Sequence, residues 1–276
     1  MSTTVVVAGG DPRDRWLCLL LHDRGYHLRT WGMAIKGLPA YQPDQDPAPN
    51  ILIGPMTGIG GDGRMQVAHG IVTLPVTVME NMGAGAVIAA GLIASPTLDY
   101  AQAAGIRTVQ YRKESSFMWL NAVPTAEGAI QAAIGLSGRT LYDRPLAVIG
   151  FGRVGSVLGL RLQAYGAHVT VYDRSLEKRA MARAYGFPAF PLATLPREID
   201  GIFNTVPAPI LDEHWITDTG NAWIIDLASN PGGLTPAMRE HPALSGRYQW
   251  VLGLPGQIAP ARAAEIIWET LSLVLD

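Results

Sequence analysis

A glycine-rich turn near the middle of this 276-residue chain has the spacing of a phosphate-binding loop. Residues 150–155 read Gly-Phe-Gly-Arg-Val-Gly, follow the apolar run 146–149 and open a segment of helical periodicity. Gly150 permits the tight turn, Gly152 lets backbone N–H groups approach a pyrophosphate, and Gly155 lets the helix pack close to the strand. The alternative is an α/β turn without a ligand. The predicted dinucleotide contacts in the loop are Gly150, Gly152, Arg153, Val154 and Gly155.

A carboxylate stands where the adenosine ribose of such a dinucleotide would bind. Asp173 follows the predicted strand 168–172. A carboxylate there accepts hydrogen bonds from ribose hydroxyls and repels a 2′-phosphate, which favours NAD. Arg174 and Ser175 come next, and Lys178 and Arg179 lie one turn later, so NADP stays open. A solvated helix face explains the last two residues equally well.

Two further segments follow predicted strands of the same half of the chain. Carboxyl ends of parallel strands line the ligand crevice of an α/β sheet, so both segments are predicted to contact the cofactor. Asp226 alone is explained equally well as a cap at the end of its strand. The predicted contacts are Asn204, Thr205, Val206 and Pro207, and Asp226, Leu227 and Ala228.

Strand and helix signals alternate along the chain. The β-branched run 5–8 ends in Gly9 and Gly10 and leads into an apolar helical stripe, and the alternation restarts at Pro145. Such alternation is typical of parallel sheets covered by helices. The fold class predicted is α/β, with two Rossmann-like parallel-sheet domains joined by hinge helices.

The predicted domain boundaries follow from this alternation. Residues 1–123 are predicted to form a Rossmann-like or flavodoxin-like substrate domain. Residues 124–257 are predicted to form a hinge helix, beginning at Pro124, and an NAD(P)-binding Rossmann domain. The helix 258–276 is predicted to pack back on the first domain. Between residues 36 and 65, clusters of Gly, Pro and Asp indicate loops, some of which could face a ligand.

Composition limits the classes of partner. The chain has 21 basic and 23 acidic residues, with 16% charged and 48% hydrophobic residues overall. This composition excludes disorder and supplies no basic field for nucleic acid or an anionic membrane surface. A small-molecule ligand is the better expectation.

Cysteine and the amino end add little chemistry. The single cysteine, Cys18, is predicted to be a buried core thiol, and neither a disulfide nor a metal site is expected. No leader segment and no apolar run of membrane-spanning length is evident, so a cytoplasmic protein is predicted.

Taken in order, several segments resemble the A-subunit family of dipicolinate synthases over the whole chain. Besides the glycine loop and the two strand-end segments, they are residues 9–13, 121–128 and 253–260. The last of these places Gly253, Leu254 and Pro255 after a predicted strand, where they are expected to contact the cofactor.

The resemblance implies a two-domain, nicotinamide-dependent dehydrogenase. It would act with a smaller, flavoprotein-like B-subunit to make pyridine-2,6-dicarboxylate from 4-hydroxytetrahydrodipicolinate, via dihydrodipicolinate, in sporulation. A homodimer or hetero-oligomer is expected.

Three positions depart from the family pattern. The family usually has a small residue where Asp173 stands, and tends toward NADP. Asn230 replaces a basic residue, and Ala261 stands where a Lys is common. A looser likeness to alanine dehydrogenases aligns Asn230 with an acid near the nicotinamide. Asn230 can hydrogen-bond a substrate but cannot act as a general base.

Donors for two carboxylates and a route for one proton are what the implied reaction requires of the protein. Candidates for substrate binding are Gly10, Asp11, Arg13, Asn121 and Thr125, and candidates for catalysis are Asn230 and Glu127. Asn121, Thr125 and Glu127 are assigned because they flank the predicted start of the hinge helix, whose N–H groups can bind an anion. For Arg13 a surface arginine, and for Glu127 helix-start stabilisation, are the alternatives.

Two other functions remain compatible with the residues. One is another two-domain Rossmann dehydrogenase that acts on an amino or hydroxy acid. The other is a nucleotide-binding regulatory protein without chemistry of its own, because no acid or base residue is assured.

Overall fold

The computed structural model describes residues 3–194 and 198–275. The chain divides into two compact units: residues 1–120 together with 259–276, and residues 121–258.

The first unit is built on a five-stranded parallel sheet and an added hairpin. Its elements are β1 (Thr4–Ala8), α1 (Pro12–Asp23), β2 (His27–Trp31), β3 (Ile51–Ile53), β4 (Arg64–Val67), β5 (Gly70–Thr73), α2 (Val76–Met82), β6 (Val87–Ala90), α3 (Ser95–Ala103) and β7 (Arg107–Gln110). The sheet order is β2-β1-β3-β6-β7, and β4 pairs with β5 in a separate antiparallel hairpin. This strand order is the flavodoxin-like one, with its topological switch point between β1 and β3.

Both faces of this sheet are buried, which explains its continuous apolar strands. Val5 and Val7 of β1 face one core, and Val6 and Ala8 face the other. The C-terminal helix of the chain (Pro260–Leu275) packs on α1, and its Trp268 contacts Tyr26 ring edge to ring face.

The second unit contains a six-stranded parallel sheet. The elements after β7 are α4 (Ser115–Ser137), β8 (Pro145–Ile149), α5 (Arg153–Ala164), β9 (His168–Tyr172), α6 (Leu176–Ala184), β10 (Ala189–Phe190), β11 (Gly201–Asn204), α7 (Glu213–Thr217), β12 (Trp223–Asp226), α8 (Pro236–Arg239), β13 (Tyr248–Trp250), α9 (Leu254–Ile258) and the C-terminal helix, α10 (Pro260–Leu275). The order β10-β9-β8-β11-β12-β13 is that of a Rossmann dinucleotide-binding sheet.

Helix α4 differs from its predicted form. It begins at Ser115, not at Pro124, and Pro124 lies inside it. A proline is favoured in a first helical turn because its missing N–H has no partner there, and this preference explains the wrong start. The predicted boundary at residues 123 and 124 therefore lies within one helix.

Among the described residues, no helix is both long enough and apolar enough to cross a membrane. Cys18 is buried and unpaired, as predicted.

Two glycines in helices of the second unit should respond oppositely to alanine. At Gly135, exposed in α4, an added Cβ meets nothing within 4 Å, whereas at Gly155 it would lie 2.0 Å from the Gly150 carbonyl oxygen. Gly135→Ala should raise the free energy of unfolding by about 0.5–1 kcal/mol, since alanine loses less backbone entropy.

Gly155→Ala should lower the same free energy by about 1–3 kcal/mol, because backbone must shift. Urea unfolding followed by circular dichroism measures both variants. A Gly155→Ala protein as stable as the wild type would contradict this close approach of helix and strand.

Candidate functional site

The glycine-rich loop lies at the topological switch point of the second sheet, after β8 and between β9 and β11. Gly150 has φ +87°, a conformation that favours glycine, and an added Cβ would lie 2.6 Å from Thr205 Oγ1. At Gly152 an added Cβ would meet nothing within 4 Å. Gly150 and Gly155 are therefore required by packing, while the backbone at Gly152 faces open space that a phosphate can enter.

The start of α5 is open to an anion. Gly152 is its N-cap residue and supplies no side-chain hydrogen bond. The N-terminal N–H groups of a helix carry partial positive charge and bind phosphate well. These features fit the pyrophosphate of a dinucleotide.

Asp173 is held against the glycine loop. Its Oδ2 accepts from the backbone N–H of Phe151 at 2.9 Å, and its Oδ1 accepts from that of Ser175 at 2.8 Å. Each carboxylate oxygen can accept a further hydrogen bond, so ribose hydroxyls can still bind there. Asp173 thus supports the loop and retains the acceptors expected of a ribose ligand.

Of the arginines after Asp173, Arg179 is bonded to the backbone and Arg174 is exposed. Arg179 donates to the carbonyl oxygens of Asp173 and Arg174, both at 2.8 Å, so it fixes this turn and is not a solvated side chain. Ser175 caps α6 by accepting from the N–H of Lys178 at 3.4 Å.

Asn204 and Thr205 serve the loops around the site. Asn204 Nδ2 donates to Asp226 Oδ1 at 2.8 Å, and its Oδ1 accepts from the N–H of Val206. Thr205 Oγ1 lies 2.9 Å from the Ile149 carbonyl oxygen, to which it donates. These side chains hold strand ends together, so the segment 204–207 can offer a ligand its backbone and the side chains of Val206 and Pro207.

Asp226 is fully buried and has four donors. It accepts from Asn204 Nδ2, from the N–H groups of Ala228 (3.1 Å) and Gly233 (2.7 Å), and from Tyr248 Oη (3.1 Å). Burial and the adjacent Asp226 carboxylate raise the pKa of Tyr248 well above its usual range. A buried carboxylate with these partners has the contacts of a strand-end cap, the alternative given for Asp226 above.

The loop that carries Asn230 is held by residues that no sequence pattern indicates. The Arg239 guanidinium lies 4.0 Å from the Trp250 ring centroid and donates to the carbonyl oxygens of Pro231 and Leu234. Trp250 Nε1 donates to the Ala228 carbonyl oxygen at 2.8 Å. Asn230 itself is exposed. An arginine and a tryptophan eleven residues apart form no recognisable motif, so only the fold reveals this support.

Leu254 and Pro255 are buried at the start of α9. An added Cβ at Gly128 in α4 would lie 3.0 Å from Leu254 Cδ2, which places Leu254 in the core of the unit. Their side chains are therefore used in packing, and cofactor contact by residues 254 and 255 stays a prediction for their backbone. Gly253, with φ +69°, is exposed, and its backbone stays available to a ligand.

Three predicted site residues lie within α4, where helix N–H groups are already used. Thr125 Oγ1 donates to the Asn121 carbonyl oxygen at 2.7 Å. Glu127 Oε1 lies 3.8 Å from Arg161 Nε in α5, and both side chains are partly exposed. The anion site predicted at a helix start around these residues is wrong, and Glu127 is part of a surface ion pair. The Oδ1 atom of Asn121 is buried and accepts no hydrogen bond. A donor group on a ligand could supply the missing hydrogen bond.

In the first unit, the turn after β1 is closed by its own carboxylates. Asp14 Oδ2 accepts from the N–H groups of Gly10 (2.8 Å) and Asp11 (3.1 Å), and Asp11 Oδ1 accepts from Arg13 Nε at 2.9 Å. An added Cβ at Gly9 would lie 2.1 Å from the Asp14 carboxylate. Arg13, predicted as a substrate ligand, is buried at 5% exposure and is not a surface arginine.

Burial raises the pKa of Asp14 to about 6, although the two N–H donors oppose the shift. Burial also raises the pKa of the Cys18 thiol to about 12, with a contribution from the Asp14 charge. Cys18 is thus an unreactive core thiol. Asp14 is absent from the predicted site residues, although an acid three residues after a capping Asp is the signature of a capping box.

Two family models match the chain. Residues 4–112 match the N-terminal domain of the dipicolinate synthase A-subunit, and residues 116–219 match the NAD-binding domain of D-isomer specific 2-hydroxyacid dehydrogenases. A D-3-phosphoglycerate dehydrogenase from Mycobacterium tuberculosis (strain H37Rv) is 28% identical over 123 residues, or 43% of this chain. The match spans 23% of that relative's length.

Solved structures resemble the chain over its whole length. The dipicolinate synthase A-subunit from Bacillus halodurans has a TM-score of 0.85 and 25% identity, covering 99% of this chain and 97% of that one. The corresponding dipicolinate synthase chain from Bacillus subtilis has a TM-score of 0.84 and 26% identity, with coverage of 100% and 96%. The D-lactate dehydrogenase of Escherichia coli, at 16% identity and a TM-score of 0.67 over 99% and 96% of the chains, shows the fold alone.

These matches confirm three predictions. The chain resembles the dipicolinate synthase A-subunit, its fold is α/β with two parallel sheets, and its class is that of NAD(P)-dependent oxidoreductases. The match to an NAD-binding domain supports a nicotinamide dinucleotide as the cofactor.

The buried Asp14 should make the stability of the first unit depend on pH. Because its pKa is raised from 3.8 to about 6 on folding, the folded state binds the proton more tightly. Its contribution to stability is then greatest below about pH 4 and is lost as the pH rises through 6, by about 3 kcal/mol in total. As the pH is raised from 4.5 to 7.5, the free energy of unfolding of the wild type should fall relative to that of Asp14→Asn.

Urea unfolding across this pH range measures the difference. Asp23→Asn, at an exposed position of the same helix, is the matched control. A difference between the wild type and Asp14→Asn that stays constant with pH would show that Asp14 does not titrate in this range.

Proposed function

We propose that the chain is the dehydrogenase subunit of a dipicolinate synthase, which makes pyridine-2,6-dicarboxylate during sporulation. The observation that carries the proposal is the likeness to two dipicolinate synthase chains over 99–100% of this chain, at TM-scores of 0.84–0.85. The match of residues 4–112 to the N-terminal domain of the same family supports it.

The second unit supplies the cofactor site in this proposal. The open backbone at Gly152 and the uncapped start of α5 receive the pyrophosphate, with Arg153 and Val154 in its first turn. Asp173 accepts from the adenosine ribose, and Arg174 and Ser175 border it. The backbones of residues 204–207, of Leu227 and Ala228, and of Gly253 complete the contacts.

The reaction requires little acid or base strength from the protein. Loss of water from 4-hydroxytetrahydrodipicolinate gives dihydrodipicolinate, which then loses a hydride and a proton to become the aromatic pyridine dicarboxylate. When bound, oxidised nicotinamide accepts the hydride at C4. The chain contributes positioning and charge complementarity, which suffice because aromatisation favours the hydride departure.

Each unit contributes residues that are proposed to bind the substrate. In the first unit the proposed ligand is Arg13, whose buried guanidinium can face a carboxylate. The N–H groups of Gly10 and Asp11, also predicted as ligands, already donate to Asp14.

In the second unit Asn121 offers its unpartnered Oδ1, beside Thr125, and the exposed Asn230 is a further hydrogen-bonding side chain. Glu127 has no place in this mechanism because it pairs with Arg161.

The proposal includes a second polypeptide. A smaller, flavoprotein-like B-subunit is the proposed partner, in a hetero-oligomer located in the cytoplasm. A homodimer is the alternative assembly.

A second candidate function follows from the match of residues 116–219 to a hydroxyacid dehydrogenase domain. The chain would then oxidise a 2-hydroxy acid or amino acid without a partner.

One assay decides between the two functions. The full chain is mixed with the purified flavoprotein-like partner and freshly generated 4-hydroxytetrahydrodipicolinate, and the reduced cofactor and the pyridine product are followed by absorbance with NAD and NADP. Pyridine formation that needs this chain supports the proposal. If no pyridine forms with either cofactor although the partner is active, the proposal is rejected. If the chain alone turns over lactate or alanine, the second function is established.

The cofactor preference should depend on Asp173. Removing its carboxylate removes the repulsion of a 2′-phosphate, so Asp173→Ala should raise the ratio of kcat/KM for NADP to that for NAD by about tenfold or more. Steady-state kinetics with both cofactors measure this ratio. Asp218→Ala, which removes an exposed carboxylate elsewhere in the same unit, is the control. An unchanged ratio in Asp173→Ala would show that Asp173 does not face the ribose.

A further inference from the structure

The segment after β12 presents Asn230 to solvent. We call residues 227–234 the Asn230 loop; they follow the carboxyl end of β12, the edge at which open α/β sheets bind ligands. Residues 229–231 are exposed, whereas Ala228 and residues 232–234 are buried. The loop therefore has an exposed tip between two buried flanks.

The Asp226 carboxylate holds the N–H groups on both flanks of this tip. It accepts from the N–H of Ala228 at 3.1 Å, before the tip, and from that of Gly233 at 2.7 Å, after it. Asp226 is fully buried and is itself bonded to Asn204 Nδ2 and Tyr248 Oη. The inner side of the loop is thus fixed to the end of its own strand.

The carbonyl oxygens of the loop are held by Arg239 and Trp250. The Arg239 guanidinium donates to those of Pro231 and Leu234. Trp250 Nε1 donates to that of Ala228 at 2.8 Å. The guanidinium carbon lies 4.0 Å from the Trp250 ring centroid, in a cation–π contact. The stacked ring fixes the plane of the guanidinium and therefore the direction of its N–H groups.

Gly232 shows how closely these groups surround the loop. An added Cβ there would lie 3.1 Å from Asp226 Oδ2, 3.2 Å from Arg239 Nη2 and 3.2 Å from Trp250 Cε2. A carboxylate, a guanidinium and an indole therefore enclose a residue two positions after Asn230. A loop held in this way is ordered before a ligand binds, which lowers the entropic cost of binding.

We infer that Arg239 is a positioning residue for the dehydrogenation: by fixing the Asn230 loop, it holds Asn230 where its Nδ2 donates to a carboxylate of the substrate. The inference rests on the proposed function, in which Asn230 binds the substrate. A displacement of about 1 Å in a group that orients the substrate can cost about a hundredfold in rate. Arg239 and Trp250 thereby join the residues on which turnover depends, although they act only through the loop.

A double-mutant cycle on the full chain distinguishes positioning from general stability. The variants are Asn230→Ala, Arg239→Ala and the two combined, and equilibrium calorimetry with reduced cofactor measures the Kd of pyridine-2,6-dicarboxylate. Each single variant should weaken binding about tenfold, the loss expected for a hydrogen bond to a charged group. In the Asn230→Ala background, Arg239→Ala should cost less than about twofold, because the amide that it positions is already absent.

The rate of pyridine formation with the flavoprotein-like partner gives a second readout, and kcat/KM should follow the same non-additive pattern. Arg239→Lys keeps the charge but lacks the planar fork of donors, so it should give an intermediate loss. Urea unfolding shows which variants are folded in the assay. Arg239→Lys replaces Arg239→Ala in the cycle if the alanine variant does not fold.

Arg183→Ala is the matched control. Arg183 also donates to a backbone carbonyl oxygen of the second unit, that of Ala189 at 2.7 Å, but on β10, which three strands separate from β12. This variant should keep the wild-type Kd and kcat/KM.

Two results overturn the assignment of Arg239. One is a wild-type Kd and kcat/KM in Arg239→Ala, and the other is a loss from Arg239→Ala that is equally large with and without the Asn230 amide. If the wild type still forms pyridine with the flavoprotein-like partner, only the assignment falls. If the wild type neither binds the dicarboxylate nor forms pyridine, the proposed function falls with it.

Discussion

The close approach of α5 to the end of β8 is the constraint on which the second unit depends. A Cβ at residue 155 would lie 2.0 Å from the Gly150 carbonyl oxygen, so only glycine permits the helix to start there. The approach directs the N–H groups of α5 toward the carboxyl edge of the sheet, where Asp173 holds the loop and the Asn204–Asp226 pair holds the neighbouring strand ends. A rigid loop of this kind costs little to order when a pyrophosphate binds.

The two units use a carboxylate at the equivalent turn in different ways. In the first, Asp14 comes from within the helix and occupies the N–H groups of Gly10 and Asp11, filling the space that a phosphate would take. In the second, Asp173 comes from the next strand and binds only Phe151 of the loop, and the helix start stays uncapped. The N–H groups at the start of α5 therefore remain available to a phosphate, whereas those of Gly10 and Asp11 in the first unit are occupied.

The sequence supports much of the fold but misleads where an element depends on its context. β9 has the predicted ends, residues 168 and 172, because its alternating β-branched and aromatic residues indicate a strand. The hairpin of β4 and β5 is absent from the prediction, since its short strands expose polar side chains within a glycine-rich region. Helix α4 begins nine residues before its predicted start because Pro124 resembles a first-turn residue, and a helix held by tertiary packing tolerates it inside.

By itself the sequence determined the class of fold, the phosphate loop and the resemblance to a dehydrogenase family, because glycine spacing and strand periodicity are local properties. Only the tertiary structure decided which polar residues face a ligand. Asp226, Asn204 and Leu254 stand in promising segments but are used inside the unit, whereas Arg239 and Trp250, which form no motif, together hold the loop of Asn230. The reason is physical: a buried polar group must find partners wherever the fold supplies them, and those partners are distant in sequence.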